Sequence, residues 1–350
     1  MSAATPGRSP TSLECVTWGE GLVVGAEITP DDFVGLFDNP GLLLGIPLAI
    51  AGAVFMSLGA QYQSRGVRKV ERLAGSTGRG GLKGTHLASL LRRPSWVAGT
   101  LLLAAAIFCQ LSALAIAPLI VVQPLGAISL VITTLLNAQI TGHTPTKASL
   151  SAIGLCVGGI FLFVVFAALY AVERPLEPTR LLVLLVILLV VLIFVGAAWL
   201  VFRKRAGALF YITAAGVLYG FVATLAKVVI KRFQAGDVDL VTIACLIALI
   251  AAGVAGAYFV QTAYSSGPPD LVIAGLTVID PIVAVVIGAW LLGEAALTPI
   301  WTMIIWTLAG SAAAIGVVVL ARRHPQVVSE SQELPIRRGS TKPEDADDER

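Results

Sequence analysis

Charge is what this sequence has least of. Only 13% of its 350 residues are Asp, Glu, Lys or Arg, and 57% are hydrophobic. A soluble domain carries about 25% charged residues, so the composition excludes an ordinary soluble protein and points to many membrane crossings. Histidine is also scarce. His86, His143 and His324 all fall outside the apolar runs, so no His dyad or His metal cluster is expected at membrane depth. Of the cysteines, Cys15 stands in the polar N-terminal stretch, while Cys109, Cys156 and Cys245 lie inside apolar runs. Those three read as packing residues, and the spacing fits no metal site.

Other absences narrow the function. The glycine-rich stretch GSTGRGGLKGT (75–85) lacks the Gly-Lys-Ser/Thr ending of a phosphate-binding loop. Without an ATP site, active transport must draw on a gradient. Enzymatic chemistry and a cofactor are not expected. No basic face interleaved with aromatics suggests nucleic acid. No basic segment leads into an apolar core near the start, so a signal peptide is not read. The first span is expected to act as its own insertion signal.

What is present is a series of apolar runs. The most informative is LVIAGLTVIDPIVAVVIGAWLLG (271–293), 23 residues with Asp280 as the one charge. Its length suits a helix crossing a bilayer. A carboxylate there costs about 2.5–3.5 kcal/mol on insertion scales, and Pro281 removes a backbone donor and crowds the preceding turn. A helix break is therefore expected at the depth of the charge. PLIVVQPLGAISLVITTLLNAQI (118–140) repeats the arrangement: at a shift of 157, Gln123-Pro124 falls on Asp280-Pro281. Interrupted segments at matching places in two halves point to a transporter's binding site.

In chain order, residues 1–40 read as a tail ending in Asp38-Asn39-Pro40, a helix start with an Asx cap and proline at the first helical position. A first transmembrane half, 41–172, holds spans one to four. A linker, 173–180, follows. A second half, 181–322, holds spans five to nine, and 323–350 is a charged tail expected to be disordered. The fold class is thus all-α, an integral membrane protein with about nine transmembrane helices. Spans one to four match spans six to nine, and span five is extra. GAVFMSLGAQYQSRGVRK (52–69) lies over AGVLYGFVATLAKVVIKR (215–232), and Gln110 matches Gln261. Because spans one and six start on opposite sides, the repeats are inverted, which places a substrate site near the midplane.

The loop after span one carries eight basic residues, Arg65 to Arg93, against Glu71 alone. That predicts a cytoplasmic loop, an outside N-terminus and a cytoplasmic C-terminus in a cell membrane. Lys231 and Arg232 then fall outside, against the rule, with Asp237 and Asp239 close by.

Each polar residue in a span has two readings. Asp280 binds a cation, a substrate amine or a transported proton, or it bonds to a neighbouring helix and holds the bundle together. Gln123, Gln110 and Gln261 line a cavity, or they hydrogen-bond between helices. Pro124 and Pro281 free carbonyls toward a cavity, or they make packing kinks. Glu294 reads as a helix-end residue near water. Lys227 reads as snorkelling to the interface, with pairing to Asp280 as the sharper alternative. Gly154, Gly159 and Gly316 are expected to permit close helix packing.

The stretch 280–320, DPIVAVVIGAWLLGEAALTPIWTMIIWTLAGSAAAIGVVVL, resembles the drug/metabolite transporter (EamA-like) superfamily. ALAIAPLIVVQPLGAISLVITTLLNA (113–138) is similar to the NIPA-type magnesium transporters. The resemblance implies a secondary transporter working by alternating access. Proton-coupled export of metabolites or drugs is the first reading, and magnesium uptake is the second, with Asp280 as the metal-facing group. A non-transporting scaffold docking through the charged tail is the third. The partners implied are the bilayer and a small-molecule or cation substrate, with a homodimer left open.

Overall fold

The computed structural model describes residues 39–74, 93–141, 147–202, 207–267, 269–296 and 298–322. The expected tails, the three histidines and Cys15 lie outside the described residues. Among those described there are ten helices and no strand: α1 (Pro40–Ala74), α2 (Pro94–Ile116), α3 (Leu119–Gly126), α4 (Ile128–Thr141), α5 (Lys147–Tyr170), α6 (Pro178–Phe202), α7 (Ala208–Ala235), α8 (Leu240–Ser266), α9 (Pro269–Trp290) and α10 (Ile300–Arg322). They give nine stretches long and apolar enough to cross a membrane, with α3 and α4 together making one.

Local chemistry sets several helix ends. The Asn39 side chain accepts the Gly41 N–H at 3.0 Å, and Pro40 opens α1. α1 outruns its apolar stretch and stays helical to Ala74, since no proline interrupts the basic segment after Arg65. Ala117 is extended (φ −128°, ψ 156°) because Pro118 follows it, which makes the tight turn between α2 and α3. At the far end of α7, Gly236 takes φ 78° and its N–H returns to Arg232 and Phe233 carbonyls. Asp239 then caps α8, accepting the Thr242 N–H at 2.9 Å.

The two prolines do not act alike. Span three breaks at Ala127, where the helix tightens to bonds from Ala127 to the Pro124 carbonyl and from Leu130 to the Ala127 carbonyl. Span eight does not break: α9 runs unbroken through Pro281. The expected interruption exists in the first half only. Pro124 is followed closely by Gly126, a poor helix former, whereas Pro281 is followed by Ile282 and Val283.

Packing follows small residues, as it must where lipid is as apolar as leucine. α1 packs on α2, α7 on α8 and α9, and α5 on α10. At the α5–α10 contact a Cβ on Gly159 would lie 2.6 Å from the Ala313 nitrogen, whereas Gly154 faces open space. α6 buries Leu181, Leu184 and Leu188 and exposes Leu182, Val186, Val190 and Phe194. It touches α8 through Trp199 and Tyr258, whose rings stand edge to face at 6.2 Å.

Candidate functional site: a mid-bundle cavity and a buried ion network

The polar residues of the spans fall into two places. The first is the wall of a cavity of about 500 Å³ between α3, α5, α9 and α10. Pro124 and Ala127 at the break of span three, Phe163 of α5, Pro281 and Val285 of α9, and Trp306 of α10 all line it. The cavity wall is apolar apart from Thr277, Thr307, Ser311 and the indoles of Trp290 and Trp306. The Thr277 and Thr307 hydroxyls donate to the carbonyls of Ile273 and Met303.

Both cavity prolines follow a polar residue that stands off the cavity wall. Gln123 is buried, at 7% exposure. Asp280 lies toward α7, where its backbone nitrogen would be 3.5 Å from a Cβ on Gly216. Tyr219 of α7 is close enough to interact with it electrostatically. The Asp280 Oδ1 is buried and meets no hydrogen-bond donor among the described residues. α7 can approach here because Gly216 and Gly220 have no side chain: a Cβ on either would lie 2.6–2.7 Å from Ile279 or Val283. Gln110 on α2 is half-buried and Gln261 on α8 is exposed. Neither of their helices contributes to the cavity wall, so the structure does not bring these two amides to Pro124 and Pro281. No group of three His, Cys, Asp or Glu is assembled among the described residues.

The second place is an ion network at the end of the bundle where α2, α5, α7 and α9 finish and α3 begins. Glu294, 2% exposed, is its centre. Its carboxylate accepts the N–H groups of Leu119 and Ile120, each at 2.9 Å. Those are two of the orphan donors every helix start leaves, and the residue before them, Pro118, has no side chain able to cap. The same carboxylate takes Lys227 Nζ at 2.7 Å, and Nζ also reaches the Ala117 carbonyl at 2.9 Å and Glu173 at 3.1 Å. Through its backbone, Glu294 donates to the Gly288 carbonyl and accepts the Val172 N–H. The turn that delivers it needs Gly293, at φ 72°.

Two expectations are corrected here. Lys227 does not snorkel: it is 4% exposed and paired with Glu294 and Glu173, not with Asp280. Glu294 is a helix-end residue, but the helix it caps is α3 in the first half, and water does not reach it. The basic pair at the end of α7 is also accounted for. Lys231 meets Glu173 at 2.6 Å, and Arg232 meets Asp239 at 2.7 Å and Thr242 at 2.7 Å. Burial pushes the Glu173 carboxyl up, but the charges of Lys227 and Lys231 outweigh it and hold the group below its ordinary value. Asp239 is likewise held low, by the Thr242 N–H first and then by Arg232.

An uncharacterised protein of Corynebacterium glutamicum is 26% identical over 288 residues, covering 80% of this chain and 95% of that one. No solved structure matches. The model of the family described as "Magnesium transporter NIPA" matches residues 41–286, so the chain belongs to this family of multi-pass membrane transporters, itself part of the drug/metabolite transporter-like superfamily.

Proposed function

We propose that the protein moves a divalent cation of the magnesium class across the membrane by alternating access, and that Asp280 is the carboxylate that receives it. The observation that carries this reading is the Asp280 Oδ1: buried, without a donor among the described residues, in the middle of α9. Asp280 as a whole is half-buried, but a buried carboxylate oxygen left without a donor is unfavourable. A carboxylate inside a span is by default a functional group. Magnesium keeps several waters and takes one or two carboxylates, which suits a site with a single acid. The membrane potential would favour entry by about 2.3 kcal/mol per charge per 100 mV.

The matching of spans one to four with six to nine supports rocking of two inverted repeats. Span one packs on spans two and three, as span six packs on spans seven and eight. In this reading the network around Glu294 ties linker, α3 and α7 together and closes one face. An outside N-terminus and a cytoplasmic C-terminus rest on the basic loop after span one; Lys231 and Arg232, although paired with acids, still count against that orientation.

A second reading, gradient-driven export of an uncharged organic solute, takes its support from the cavity lined by Pro124 and Pro281. One experiment separates the two. Proteoliposomes loaded with a magnesium-sensing dye and a pH dye are compared for the wild type and Asp280→Asn. Magnesium entry lost in the variant, with internal pH unmoved, supports cation transport. Proton flux that starts only when an organic solute is added, and stops in the variant, supports export and sinks the cation reading.

A further inference from the structure

Among the described residues the Trp306 indole N–H meets no acceptor. The residue is 6% exposed and lines the cavity, and its indole Nε1 is buried without a hydrogen-bond partner among the described residues. A buried donor left unmet is costly, and buried indoles ordinarily find an acceptor. The Phe163 ring stands 5.8 Å away at 33°, so the two rings form one aromatic wall. Among the described residues no acid or base lines the cavity. Its rim carries Ile282, Val286 and Trp290 of α9 and Met303 of α10, exposed by 50%, 48%, 78% and 37%. In a chain whose exposed span residues meet acyl chains, that rim opens to hydrocarbon. The volume, about 500 Å³, is within the usual range for small-molecule pockets.

We propose that this cavity is a binding site for an uncharged, lipophilic carbonyl compound that enters from the bilayer between α9 and α10 and accepts a hydrogen bond from Trp306 Nε1. The absence of lining charge selects against ions. The unmet N–H selects for an acceptor, and a carbonyl brings no donor that would need a partner in turn. The aromatic wall favours a flat, conjugated guest. The inference rests on the α3–α5–α9–α10 cavity and not on Asp280, so it stands or falls separately from the cation reading.

The test uses the full chain in phosphatidylcholine nanodiscs and tritiated benzophenone, which is uncharged, aromatic, carries one carbonyl and inserts into nearby C–H bonds under light. Saturable labelling on α9 and α10 peptides that include Met303 is expected. Unlabelled benzophenone should compete about fivefold better than diphenylmethane, which has the same two rings on one carbon but lacks the oxygen, in line with one hydrogen bond. That preference should vanish in Trp306→Phe, which keeps a ring and loses the N–H. Ala314→Leu, which fills the cavity, should abolish saturable labelling while magnesium-independent thermal stability in detergent is retained. Labelling that does not saturate and spreads over the exposed face of α6 around Phe194 would show acyl-chain partitioning and overturn the proposal. Equal competition by benzophenone and diphenylmethane in the wild type would overturn the role of Trp306.

Discussion

Lys227 Nζ lies 2.7 Å from Glu294 Oε1, and the other oxygen of that carboxylate holds the Ile120 N–H at 2.9 Å. One acid thus joins α7 to the start of α3 across 67 and 174 residues of sequence. A buried pair of this kind gives little net stability compared with a well-packed apolar pair, but breaking it from one side is costly. Here the cost is raised by geometry, because removing the acid also strands two backbone donors.

Glu294→Ala is therefore expected to destabilise the fold by about 3 kcal/mol, the low end for breaking a buried pair from one side, because Lys227 keeps Glu173 at 3.1 Å and the Ala117 carbonyl at 2.9 Å. Glu294→Gln should cost less, since its carbonyl still accepts one N–H. Adding Lys227→Met to Glu294→Ala should recover part of the loss, because no charge is then left unpaired. Thermal unfolding in detergent of the wild type, Glu294→Ala, Glu294→Gln, Lys227→Met and the double variant checks this. Strictly additive losses would mean the two side chains do not depend on each other.

The Glu173 contacts give a pH dependence. Its carboxyl is held below the ordinary value of 4.5, so the folded state favours the charged form. The contribution is complete above that value, and it fades as pH falls through the lower value of the folded chain. Acid should loosen the 172–177 linker first. Protection of Val172, whose N–H bonds to the Glu294 carbonyl, measured against the intrinsic exchange rate at each pH, should fall in the wild type as pH drops below the ordinary value of 4.5. In Glu173→Gln the protection should be lower at neutral pH and constant over the same range. Protection that falls equally in both proteins would assign the effect to another acid.

Nine spans were legible because an apolar run of bilayer length is a signal of composition, and nothing in tertiary packing erases it. The pairs Gln123-Pro124 and Asp280-Pro281 stood out for the same reason, as polar or cyclic residues inside such runs. Glu294 and Lys227 were misjudged because each sits at the end of a run, where sequence alone suggests water. Their burial comes from the ends of α2, α5, α7 and α9 and the start of α3 meeting around them. One signal was available: Pro118 opens a helix without a side chain able to cap it, which called for a distant acceptor. The unequal breaks at Pro124 and Pro281 follow from the residues just after each proline, and a comparison of QPLGA with DPIVA could have shown it.

The close approach of α7 and α9 depends on two glycines. A Cβ on Gly220 would stand 2.6 Å from the Val283 side chain, and one on Gly216 would stand 2.7 Å from Ile279. Gly216→Val and Gly220→Val should each cost about 1–3 kcal/mol through overpacking. They should also push α9 away from Tyr219 and so change the surroundings of Asp280. The expected result is reduced cation flux in liposomes even where the protein still inserts and purifies normally. Full flux in both variants would show that this contact does not shape the transport path.

Asp280 gives the sharpest contrast between a site and a support. If its unmet oxygen awaits a cation, the cation-free protein bears the cost of a buried acid with no partner. Asp280→Asn removes that charge at nearly constant volume, so the variant should be at least as stable as the wild type in magnesium-free buffer. Magnesium should then raise the melting temperature of the wild type alone, because a ligand that binds the folded state stabilises it by RT ln(1 + [L]/Kd), about 1.4 kcal/mol at ten times Kd. Sodium at matched ionic strength controls for screening. A structural acid behaves in the opposite way: Asp280→Asn would lower stability in every buffer, and magnesium would act on both proteins alike. Differential scanning fluorimetry of the two proteins, with and without magnesium, therefore decides the role of Asp280 without any transport assay.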